Sequence, residues 1–152
     1  MSATSDRSDN TSKSRISVKD AVDALEALVG RDPGQILDGP QFPTLAQEMR
    51  QLHARFRAHH TANILDPKRS PATAAAPELT EQFDRLRSEH PRILGQLDWL
   101  IRHVDDMPDR ALEDREVFTL RVREVIAVLR RHEAEEERLV DMALWRDTGG
   151  LG

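Results

Sequence analysis

His132 and Glu136 stand one helical turn apart in the run RRHEAEEERL (130–139), and a second histidine, His90, follows Glu89 earlier in the chain. An imidazole and a carboxylate at i and i+4 share one helix face, so both can reach a single divalent ion. A carboxylate buried without a partner costs on the order of several kcal/mol, a penalty that a bound metal offsets. The chain has no Cys, which excludes disulfides, thiolate catalysis and sulfur-ligated metals. Any metal site must therefore be built from His, Asp and Glu. No separate nucleophile or acid–base pair is visible, so ligand binding or sensing is expected rather than turnover. The competing reading of the same run is a solvated acidic face paired with arginines at i, i+4 spacing, with each histidine reaching water or a carbonyl.

The elements that must position these groups are helical. At 152 residues the chain fits one domain; 38% of it is hydrophobic, 32% charged and only 4% aromatic, a balance that suits amphipathic helices better than aromatic-rich strands. A net charge of −5 gives no reason to expect a nucleic acid or an anionic membrane as partner. Residues 1–16 are polar, lack the apolar stretch of a secretory signal, and read as a disordered tail; a cytoplasmic location is expected. Residues 17–148 then form a single helical-bundle domain. Ser17 can cap a short first helix over Val18–Val29, stopped by Gly30. After the loop RDPGQILDGPQFP, Thr44 with Gln47 can cap a second helix from Leu45 to Ile64, with an apolar stripe of Leu45, Met49, Leu52 and Phe56, and His59 or His60 next in line. Residues 66–77 form a second linker.

The third helix is expected from Glu78 to Asp105. Leu79, Phe83, Leu86, His90, Ile93, Leu97, Leu100 and Val104 alternate at spacings of four and three, a continuous seam whose one non-apolar member is His90. Pro91 removes a backbone donor, so a continuous but kinked helix is expected, the alternative being a helix that starts just before Pro91 with the proline in its first turn. The fourth helix runs to Trp145 on a seam of Phe118, Val122, Val125, Leu129, His132, Glu136, Leu139 and Ala143, which turns His132 and Glu136 inward and leaves Glu133 and Glu137 mostly outward. An antiparallel pairing brings His90 level with His132 if the hairpin turns near Arg110, which requires MPDRALED to be mostly loop or irregular turn. A turn nearer Met107 leaves them around 10 Å apart at a rise of ~1.5 Å per residue.

Glu89-His90 followed by His132-Glu133-x-x-Glu136-Glu137 resembles the helix pair of hemerythrin-like, HHE cation-binding domains, over residues 78–147. The resemblance implies an up-and-down four-helix bundle around a mono- or di-nuclear non-haem iron centre that binds or senses dioxygen, nitric oxide or iron itself. Carried over, it makes His90, His132 and Glu136 direct metal ligands. Glu89 and Glu135 are then candidate acceptors that orient the imidazoles. The chain departs from the family in lacking a second histidine helix pair, so the first two helices can offer only single ligands: His60, one turn after Phe56, and His53. Three outcomes follow: a mononuclear or half-populated site, a site completed by a homodimer, or a degenerate domain that keeps the fold without metal. The rival function from another class is a metal-free helical-bundle interaction module whose acidic patch meets a basic partner.

Overall fold

Apolar spacings of three and four dictate the architecture that a computed structural model of the protein displays over residues 18–32, 34–62 and 77–147. Four α-helices make the fold: α1 (18–29), α2 (Phe42–Ala62), α3 (Thr80–Val104) and α4 (Leu112–Asp147). No strand occurs among the described residues, and no helix there is long and apolar enough to cross a membrane. The expected tail over 1–16, the Ser17 cap and most of the linker over 66–77 lie outside the described residues.

Cross-helix contacts fix the directions. Arg123 of α4 reaches the end of α1 while Arg130 reaches its middle, at Asp23 and Glu26. Arg50, His53 and His59 of α2 meet Asp105, Asp98 and His90 of α3 in descending order. Trp99 packs on Phe118, and His90 on His132. Each pair is antiparallel, so the chain runs up, down, up and down.

Each element starts and stops for a local reason. Gly30 adopts φ 70°, the left-handed conformation that ends a helix, and its N–H returns to the Glu26 carbonyl. The Arg123 guanidinium then donates to the carbonyls of Val29, Gly30 and Gln35, satisfying groups that the helix end leaves open. The second helix begins at Phe42 rather than at the expected Leu45. The Gly39–Gln41 turn leads straight into it, with Asp38 N–H donating to Gln41 Oε1 at 2.8 Å, so Thr44 is already inside the helix instead of capping it. Pro40 and Pro43 fit there because the first turn of a helix leaves its N–H groups unused. The third helix passes through Pro91 without interruption. Between α3 and α4 lies the connection 105–111, which holds the short turn Met107–Asp109.

Every expected seam position of α3 and α4 is buried. The apolar ones fall into two clusters. The larger joins all four helices and includes Leu25, Leu45, Leu52, Phe56, Ile93, Leu97, Phe118 and Leu129. The smaller holds Leu79, Phe83, Leu86, Leu139 and Ala143. Between them, on the same seams, lies a layer of polar side chains: His59, His90, His132 and Glu136, each no more than 4% exposed.

Candidate metal centre

The polar layer draws one side chain from α2, one from α3 and two from α4. On α4, His132 and Glu136 continue the stripe of Val125 and Leu129, and their Nε2 and Oε2 atoms lie 3.5 Å apart. His90, between Leu86 and Ile93 on the α3 seam, places its Nε2 2.9 Å from His132 Nε2. The two imidazoles are thus level, and the midpoint of positions 90 and 132 is Ala111. This agrees with a hairpin turning near Arg110, and the stretch from Asp105 to Ala111 is irregular or tightly turned, as that level pairing demands.

The fourth member is His59, whose Nε2 lies 3.0 Å from Glu136 Oε2. His60, the expected ligand from this helix, has a side chain outside the described set. His59 is buried because the α2 stripe Phe42, Leu45, Met49, Leu52, Phe56 alternates three and four, and the next step is three. The spacing alone carried that signal. His53 is not brought into the layer: it lies about 9 Å earlier along the helix axis, and its Nε2 pairs with Asp98 Oδ1 at 3.0 Å. Donor atoms of His59, His90 and Glu136 all lie within 4.8 Å of one another; His132 stands at the edge of that group, its Nε2 2.9 Å from His90 Nε2 and 3.5 Å from Glu136 Oε2.

The surroundings orient the rings. His132 Nδ1 lies 2.8 Å from Glu89 Oε2, so Nδ1 donates and Nε2 faces the centre. Glu89 thus takes the orienting position expected of it. Glu135 does not: it pairs with Arg138 on the surface, since its place on the helix lies to the side of the seam. Phe56 closes the layer from the side of the larger apolar cluster, its ring edge-on to His90 at 5.4 Å and to His132 at 6.0 Å.

Glu133 is the residue that the seam pattern misplaces. It was expected outward, yet it is only partly exposed, and its Oε1 is buried without a hydrogen-bond partner. Burial pushes its carboxyl above the usual range, opposed by Arg130. No periodicity signal reveals it, because it flanks the seam instead of lying on it.

At Glu136 and His132 burial opposes the charged form, but their contacts outweigh it. Desolvation works against the Glu136 carboxylate, whereas the His132 and His59 rings bring it down to about 2. Burial likewise disfavours the His132 imidazolium, yet Glu136 and Glu89 together raise it above its ordinary value.

The donor set fits a divalent ion, and three of its contacts have the spacing of neighbouring ligands. At metal–ligand distances of about 2.0–2.1 Å, neighbouring ligand atoms stand about 3.0 Å apart in an octahedral shell and about 3.4 Å apart in a tetrahedral one. The contacts here are 2.9, 3.0 and 3.5 Å. Glu136 Oε1 is buried and unpartnered, so the carboxylate keeps acceptor capacity that the protein leaves unused. Imidazole with carboxylate, without sulfur, suits iron, zinc and related first-row ions. No family model matches this chain, and no curated protein or solved structure matches it either.

Proposed function

We propose that the protein is a hemerythrin-like, non-haem iron-binding protein that binds or senses dioxygen, nitric oxide or iron. The observation that supports this most is the gathering of His59, His90 and Glu136 donor atoms within 4.8 Å of one another in a layer closed to solvent, with His132 Nε2 at 2.9 Å from His90 and 3.5 Å from Glu136. His59, His90, His132 and Glu136 would hold the ion, and Glu89 would hold His132 in the ligating tautomer. Bound iron would supply a Lewis-acidic, redox-active position for a small diatomic ligand. The protein's own contribution is orientation and exclusion of water: Phe56 on one side and the Phe83–Leu139 cluster on the other keep the layer dry.

A second reading has one observation in its favour. The His90–His132 and His59–Glu136 contacts also work as hydrogen bonds among the side chains themselves, so a metal-free bundle acting as an interaction module is its natural rival. Metal analysis of protein purified without chelator, followed by anaerobic loading with ferrous iron, separates the two. The iron reading expects stoichiometric metal, a visible charge-transfer band, and loss of both in His132→Ala with helix content retained. Colourless, metal-free protein after reconstitution would leave the interaction module.

A further inference from the structure

Four buried side-chain nitrogen or oxygen atoms lack a hydrogen-bond partner among the described residues: His59 Nδ1, Glu133 Oε1, Glu136 Oε1 and Arg115 Nε. Three of them belong to the polar layer or its immediate flank. A buried polar atom left unmet costs about 1–3 kcal/mol, so such a concentration calls for a common explanation.

His59 and His132 differ in one respect. Both turn Nε2 toward the centre, but His132 has a carboxylate behind it, Glu89, at 2.8 Å from Nδ1. Behind His59 the Nδ1 atom is unmet. Glu133 stands one turn before Glu136, whose Oε2 meets His59 Nε2 at 3.0 Å, and presents an unmet buried oxygen of its own. When Nε2 is given over to a metal, the one proton of a neutral imidazole sits on Nδ1 and must be donated to something. A donor on α2 and an acceptor on α4, both buried and both without partners, thus flank the contact between His59 and Glu136.

We propose that Glu133 is the positioning residue for His59, accepting a hydrogen bond from Nδ1–H directly or through one water, as Glu89 does for His132. It rests on the reading of the layer as a metal site. The two carboxylates then brace the centre from opposite sides: Glu89 from α3 against a ring of α4, and Glu133 from α4 against a ring of α2. The acidic run of α4 thereby contributes two inward functions, one ligand and one brace, three residues apart.

The test uses the full chain with Zn2+ as a diamagnetic probe, titrated against a chromogenic chelator, together with long-range 15N–1H spectra of the histidine rings. Glu133→Ala is expected to weaken Zn2+ binding by about 10- to 100-fold. Glu133→Gln, whose amide oxygen still accepts, should recover much of that loss, and Glu137→Ala, at an exposed site, should leave affinity unchanged. In the zinc-loaded protein the His59 Nδ1–H signal should be slow to exchange and should be lost in Glu133→Ala, while the His132 signal remains. Zinc affinity in Glu133→Ala within about twofold of the wild type would overturn the proposal. If the wild type binds no zinc, the metal reading itself fails, and the brace is then judged in the metal-free protein. There Glu133→Ala must shift the His59 ring nitrogens and spare those of His90, and unchanged His59 signals would overturn it.

Discussion

Two layers of this bundle sit on the same seams, at the same burial, with opposite chemistry. One is the apolar layer around Leu45, Leu97, Val104 and Phe118, each at most 1% exposed. The other is the layer of His59, His90, His132 and Glu136, also nearly closed to solvent. In the first, removal from water is itself the stabilising term, and any well-packed apolar side chain contributes. In the second, removal from water is the cost, and the side chains must satisfy one another or a guest. A continuous heptad-like seam therefore does not specify an apolar interior. It specifies what is inside, and the residue type then decides whether that position adds to stability or draws on it.

The contrast can be broken from either side. Phe118→Ala, in the apolar layer, should destabilise the protein by about 3–5 kcal/mol in denaturant melts, since it removes a fully buried ring and leaves a cavity. Replacing all four polar-layer residues by leucine (His59→Leu, His90→Leu, His132→Leu and Glu136→Leu together) should do the reverse. Exchange of a buried polar network for apolar side chains of similar volume is often neutral or stabilising, by up to about 1–4 kcal/mol. That variant should keep its helical circular dichroism, melt no lower than the wild type and bind no metal. A clear loss of stability would mean that the layer is a structural device.

The smallest effect belongs to the surface, two residues from His132. Arg130 holds Asp23 and Glu26 of α1, and Arg31 also reaches Glu26. The hydrogen bond from Arg31, and then that from Arg130, lowers the Glu26 carboxyl below its ordinary 4.5. Its stabilisation is therefore present above about 4.5 and is lost as the pH falls through the lower folded-state value. Glu26→Gln should lower stability at pH 7 by less than about 1 kcal/mol, because the pair is solvent-screened, and the difference from the wild type should shrink as the pH falls below about 4.5. A wild-type advantage that stays constant from neutral pH through the acid range would sink this account.

How much of this was legible in the residues depends on how far each feature rests on periodicity. The seams of α3 and α4 were readable position by position, including their three polar members, because alternation of three and four leaves little freedom about which face turns inward. His59 was readable by the same arithmetic, although proximity to Phe56 favours His60 when only a single turn is counted. Glu133 was not readable: a side chain flanking the seam is buried or exposed according to how closely the neighbouring helices approach, and one helix does not encode that distance. The start of α2 was missed for a similar reason. Its first turn is set by the contact of Asp38 with Gln41, which outweighed the local capping preference of Thr44.

Pro91 follows His90 directly, inside an unbroken α3, and proline has no N–H to return to the preceding turn. The rod thus lacks one rung at the point where His90 enters the layer, whereas His132 rides on a proline-free stretch of α4 and is clamped from behind by Glu89. Glu89, however, stands on α3 itself, two residues before Pro91, so a bend at the proline would carry both facing rings with it: His90 directly, and His132 through its clamp.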